Sequence, residues 1–343
     1  MIRPDRGVAL WLLTCAAMVF LIVVIGGITR LTESGLSITE WKPVSGIVPP
    51  LSQAQWTDEF VRYQQTTEYQ ELNRGMSLGE FKVIFFWEYL HRLWGRLIGV
   101  AFAIPFFYLL LKGRIEPRLR IRLWTILALI GAQGALGWYM VQSGLSERTD
   151  VSQYRLTAHL SLALLIYGML LWLGISLLLR SGHGGVAPFL ISPVRANARR
   201  RVLSVLVMVC VTIVSGAFVA GLNAGKIFNT FPLMGDAVIP PGYMQLSPWI
   251  LNFFENPATA QFNHRLLAMA TFGAVVYLWA WARRIDLPPV ARGGVHWLAA
   301  IALLQLSLGI VTLLAQSPVH LAAAHQAGAV ALLTVGLVTL RGL

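Results

Sequence analysis

Four histidines, His91, His159, His264 and His325, sit near the ends of hydrophobic segments and form two pairs, one per half of the chain. The members of each pair are 68 (159 − 91) and 61 (325 − 264) residues apart. An unpaired imidazole inside a bilayer costs several kcal/mol, so a histidine there is a functional candidate by default. Two imidazoles on facing helices can ligate one haem iron from both sides. Two pairs imply two haems. For a single histidine, an interhelical hydrogen bond explains the residue equally well; four at matching depth and duplicated positions favour ligands.

The elements that must position these rings are membrane helices. Apolar residues make up 56% of the chain and charged residues 12%, with a mean hydropathy of +0.65, values of a polytopic membrane protein. The net charge of +12 is spread in short clusters between apolar runs. That pattern fits helix orientation against an anionic membrane surface and argues against nucleic acid as a partner. Apolar runs predict eight spans, at about 8–28, 82–111, 121–142, 156–179, 201–222, 260–282, 294–315 and 319–340. The first lacks a small-residue cleavage pattern and is expected to stay as a span. Cys15 and Cys210 lie within apolar runs and read as small buried hydrophobes.

The basic clusters at 112–122, 180–201 and 283–292 lie in alternate loops, while the other loops are balanced or acidic, with Glu147, Asp150, Asp236 and Glu255. With eight spans, both termini and all three basic clusters fall inside. Each ligand candidate then lies early in an even-numbered span entering from the outer face. Trp87, Tyr89 and Trp94 bracket His91 as an interfacial aromatic belt does. His183, His296 and His320 do not share this pattern and read as solvated or interfacial.

The halves repeat. Ile47-Val48-Pro49-Pro50 matches Val238-Ile239-Pro240-Pro241, His91-Arg92-Leu93 matches His264-Arg265-Leu266, and Ala158-His159 matches Ala324-His325. Gln133 to Gly137 resembles Gln305 to Gly309. The fold expected is therefore all-α, with two tandem four-helix bundles of one orientation. Residues 1–180 form the first bundle, 181–200 an inside linker and 201–343 the second bundle.

Asymmetries within the repeat locate the chemistry. Glu88 stands three residues before His91, on the same helical face, while its counterpart in the second half is the neutral Gln261. A carboxylate at this depth is costly unless it serves a purpose. Pairing with Arg92 at the interface, worth under ~1 kcal/mol if exposed, is the bland alternative. Arg92 and Arg265 each follow a ligand candidate and offer planar donor forks to haem propionates, or snorkel to headgroups. The long loop 29–80 is expected to hold an amphipathic helix capped by Ser52, with Trp56, Phe60 and Tyr63 on one face. The pair Ser77/Glu80 reads as a capping box starting the second span.

The run from Glu33 to Pro43 (Glu-Ser-Gly-Leu-Ser-Ile-Thr-Glu-Trp-Lys-Pro), Ile47 to Pro50, and Glu88 to Arg92 resemble the haem A synthase family. So do Phe231 to Gly235, Phe262 to Arg265 and Ala324 to Gln326, which extend the likeness through the second half. The resemblance implies oxidation of the C8 methyl of haem O to a formyl group, giving haem A for terminal oxidases. It implies substrate haem near His91 and His159 and resident haem b near His264 and His325; the asymmetry of the halves then makes Glu88 the candidate to move protons or to stabilise positive charge on the methyl carbon. Haem O synthase as donor of substrate, a separate electron donor and membrane lipid are the implied partners; a homo-oligomer stays open. A bacterial inner membrane is the implied location, with the haem sites toward the periplasm. One branch of the family carries a cysteine pair in the first outer loop. This chain has none there and resembles the mitochondrial and proteobacterial branch.

Two other classes compete. A transmembrane b-type electron carrier uses paired histidines, but stacking haems across a membrane needs ligands near both faces. A transporter built from repeats is expected to use broken helices and midplane polar groups, whereas here the polar signals lie at one edge.

Overall fold

The computed structural model describes residues 4–42, 45–142, 151–182 and 193–343. His183, Glu147, Asp150 and half of the expected linker 181–200 lie outside the described residues. The helices are α1 (Pro4–Leu31), α2 (Gln53–Tyr63), α3 (Thr67–Glu71), α4 (Leu78–Leu111), α5 (Pro117–Gln142) and α6 (Gln153–Gly182). They continue with α7 (Pro193–Gly221), α8 (Asn252–Glu255), α9 (Pro257–Ala282), α10 (Pro289–Leu314) and α11 (Val319–Arg341). Among the described residues no strand forms, and eight helices are long and apolar enough to cross a membrane. These are α1, α4, α5, α6, α7, α9, α10 and α11, in the order the sequence predicts. The chain is an all-α polytopic membrane protein. α7 starts at Pro193, ahead of the apolar span expected from about residue 201. Proline is well suited to a first helical turn because its missing N–H has no helical partner there.

Large apolar side chains face outward along the spans: Ile121 is 73% exposed and Trp297 66%. Such exposure is abnormal in water and ordinary where lipid is the solvent. Local signals fix several helix starts. Ser52 and Gln55 form a reciprocal capping box at α2, and Ser77 and Glu80 form another at α4. Asn256 caps α9 ahead of Pro257.

The chain divides into two compact units, Leu21–Ala163 and Met1–Phe20 with Leu164–Leu343. In Leu21–Ala163, α2 lays Trp56, Phe60 and Tyr63 on the first turns of α4, as its amphipathic pattern predicts. Trp56 meets Phe85 edge-on at 4.9 Å between ring centres, and Phe60 meets Phe81 at 5.1 Å. In the other unit, α7 and α10 each pack against both α9 and α11. The result is a ring of four helices with α9 and α11 diagonal to one another. Small residues allow the approach: a Cβ on Gly336 would strike Leu206, and one on Gly294 would strike Thr339.

Candidate haem-ligand site

Each unit holds one histidine pair. In Leu21–Ala163, α4 presents His91 and α6 presents His159, with ring centres 6.4 Å apart and planes at 68°. Two imidazoles sharing a metal at about 2 Å from each nitrogen have ring centres roughly 6 Å apart. The pair therefore fits an iron between them. In the other unit His264 stands on α9 and His325 on α11, the diagonal helices of the ring.

Glycine makes room for all four rings. A Cβ on Gly26 would lie 3.0 Å from His91 Nε2, and one on Gly137 would lie 3.1 Å from His159 Cε1. On Gly216 it would lie 3.0 Å from His264 Cε1, and on Gly309 2.8 Å from His325 Cε1. Any other residue at these positions pushes on an imidazole. The neighbouring helix also holds one histidine of each pair by its backbone. Gln133 Nε2 donates to His159 O at 3.0 Å, and Gln305 Nε2 donates to His325 O at 2.9 Å. The glutamine and the glycine are four residues apart, so one face of α5 or α10 performs both tasks. Sequence reading noticed the Gln-to-Gly repeat without a role for it; the i, i+4 spacing was the available signal.

The ring nitrogens differ in their partners. His264 Nδ1 shares a 2.8 Å hydrogen bond with Ser215 Oγ. Nδ1 of His159 and of His325 is buried without a partner in the protein, an expensive state for a polar atom. Two imidazoles, with no set of three or more histidine, cysteine or carboxylate side chains placed to share a metal among the described residues, suit the axial positions of a haem. They do not suit a metal needing three or four protein ligands.

Glu88 is 2% exposed, and both its oxygens are engaged. Oε1 takes the Arg92 guanidinium at 2.6 Å, and Oε2 accepts from Ser37 Oγ and from Ile38 N, each at 2.7 Å. The pair is far more buried than an exposed i,i+4 pair. Arg92 also donates to Ile38 O at 2.8 Å and Glu40 O at 3.2 Å. Tyr89 Oη donates to Ile47 O, and Arg96 to Lys42 O. One face of α4 thus binds backbone groups of Ile38, Glu40, Lys42 and Ile47.

The second unit repeats this arrangement without the acid. Arg265 donates to Phe228 O at 2.7 Å, Thr230 O at 2.9 Å and Leu233 O at 3.2 Å. Gln261 Nε2 donates to Phe228 O at 3.1 Å. Arg92 and Arg265, expected as partners of haem propionates or as snorkelling groups, use these donors to hold the loops beside their histidines. Arg265 Nε remains buried without a protein partner. Ser37 and these carbonyls were not found from sequence, because a backbone acceptor has no residue type to read. His296 and His320 are exposed, as expected of interfacial residues.

A family model described as cytochrome oxidase assembly protein matches residues 9–337. A haem A synthase of Nitrosospira multiformis is 48% identical over 97% of this chain and 92% of its own length. One of Rhodospirillum centenum is 51% identical over 95% and 86%, and one of Arabidopsis thaliana 44% over 97% and 74%. With such coverage, the chain belongs to the cytochrome oxidase assembly protein family.

Proposed function

We propose that this protein is a haem A synthase, an oxidoreductase that converts the C8 methyl of haem O to a formyl group. The observation that carries this reading is the asymmetry between two similar sites. His91 and His159 lie 6.4 Å apart with the carboxylate of Glu88 one turn away on α4, while His264 is preceded by the neutral Gln261. Two successive hydroxylations of one methyl, each a two-electron oxidation by an external oxidant with insertion of one oxygen atom, give a gem-diol, and loss of water leaves the aldehyde.

His91 and His159 hold the substrate haem, and His264 and His325 hold a resident haem b, which supplies one-electron redox chemistry when bound. Ser215 orients His264 from outside the pair. Glu88 serves as the acid/base or as the negative charge facing the reacting methyl. The free Nε of Arg265 is a donor for a propionate of the resident haem. The repeated Gly–His and Gln–His contacts support two tandem bundles, 1–180 and 201–343. The loops 112–122, 180–201 and 283–292 lie inside, both termini with them, and the haem sites lie toward the periplasm of a bacterial inner membrane. Haem O synthase supplies the substrate and a separate donor supplies electrons.

Pigment extraction from the purified protein tests the reading. Haem b together with haem O and haem A is the expected mixture. Haem b alone indicates an electron carrier and rejects the synthase, as does absence of haem.

A further inference from the structure

The end of the α9–α10 hairpin opposite His264 contains a cavity of about 300 Å³, lined by Trp279, Arg283, Ile285, Leu287, Arg292 and His296 among others. None of these residues takes part in the haem-ligand arrangement. We propose that this cavity binds the phosphate of an anionic membrane phospholipid.

The chemistry of the wall supports a headgroup. Leu287 and Val295 are buried and form an apolar floor. Two guanidinium groups and an imidazole stand over it. Arg283 lies over the Trp279 ring, 4.8 Å from its centre, which orients its donor fork by cation–π attraction. Trp279 Nε1 donates to His296 Nδ1 at 3.0 Å. That bond makes Nδ1 the acceptor and leaves Nε2–H as the ring's donor for a ligand. Arg292 pairs with the exposed Asp286, and a pair at such exposure is easily exchanged for a phosphate. Arg283, Arg284 and Arg292 face one acid, Asp286, in this turn, so the local field selects negative charge.

Size and position identify the source of that charge. The volume lies at the bottom of the range for ligand pockets; it takes a headgroup and excludes a whole cofactor. The cavity lies where the apolar spans Pro257–Ala282 and Pro289–Leu314 both end, the depth at which lipid phosphates sit. Exposed Trp297 and Leu304 continue along α10 as an apolar lane for acyl chains.

The test uses the haem-loaded protein in mild detergent, with native mass spectrometry of bound phospholipid after adding phosphatidylglycerol or phosphatidylcholine. Preferential retention of phosphatidylglycerol is expected, reduced roughly tenfold or more in Arg283→Gln/Arg292→Gln, with haem content unchanged. His296→Ala, at an exposed position, should reduce it by a smaller factor and guards against misfolding of the double variant. Equal retention of the two lipids, unchanged retention in both variants, or displacement by inorganic phosphate at equal concentration overturns the proposal. Because haem content is read separately, failure here leaves the synthase reading untouched.

Discussion

Gly309 leaves its space to His325: a Cβ at that position would lie 2.8 Å from Cε1 of the ring. Real Cβ atoms do not come so close, so Gly309→Ala must displace the imidazole from its partner. Loss or spectral shift of the proposed resident haem b is expected in Gly309→Ala. Gly273, on α9 with nothing within 4 Å, provides the control, and Gly273→Ala should keep the native spectrum. Identical haem spectra in the two variants would remove His325 from the ligand set.

The halves should separate by function. His264→Ala or His325→Ala is expected to remove the resident haem b. His91→Ala or His159→Ala is expected to abolish conversion of haem O while leaving much of that haem bound. Pyridine haemochrome analysis of all four proteins measures both quantities. Equal loss of haem b in all four rejects the division of labour.

Glu88 requires a paired experiment, because its carboxylate is a partner as well as a candidate catalyst. Its ion pair with Arg92 has side-chain exposures of 3% and 11%, not those of a surface pair. Breaking one side of such a pair costs about 3–5 kcal/mol, well above the ~1 kcal/mol of an exposed pair. Glu88→Gln should lower haem A formation about 10²- to 10⁴-fold if the carboxylate acts on the reaction, but loosening of residues 37–40 gives a similar loss. Glu88→Gln/Arg92→Gln removes both charges and leaves no unpaired charge, although the bonds of Arg92 to Ile38 O and Glu40 O go with it. A catalytic Glu88 predicts that the double variant regains thermal stability relative to Glu88→Gln and still accumulates haem O. Recovery of haem A in the double variant assigns Glu88 to holding the loop alone.

The charged network on the loop between α1 and α4 gives a pH dependence of known sign. Glu40 is held below the usual carboxylate value, first by the hydrogen bond from Lys42 and then by the charges of Lys42 and Arg62. Its stabilising contribution is present above the unfolded value near 4.5 and is lost as pH falls through the lower folded value. Lys42 is raised above 10.5, first by the hydrogen bond to Glu40, so its contribution is full below 10.5 and lost as pH rises through the higher value. Protease susceptibility of residues 39–63 should be lowest between these limits and rise below about pH 4, by an amount under ~1 kcal/mol per exposed pair. A flat profile across the acid limb rejects the network as a loop anchor.

Single cysteines replacing Gln65 and Pro117, in a background lacking Cys15 and Cys210, should react with an impermeant reagent from opposite sides of the membrane. Reaction of both from one side overturns the proposed orientation and the common depth of the histidines.

Sequence alone determined the eight spans, because about 20 apolar residues without charge have few alternatives to a membrane helix. It also determined the starts of α2 and α4, since a capping box is local chemistry between residues three apart. The four histidines and the Glu88/Gln261 difference were likewise legible as residue types at repeated spacing. Tertiary structure decided what those residues touch. Gly26 and Gly137 acquire a role only once another helix brings an imidazole against them. The sequence offers Arg92 and Arg265 as forks for haem propionates or as snorkelling groups; the structure adds that their donors meet the carbonyls of Ile38, Glu40, Phe228, Thr230 and Leu233. A carbonyl is present at every residue, so which one an arginine reaches depends on how the loop returns to the helix, and side-chain identity does not encode that path.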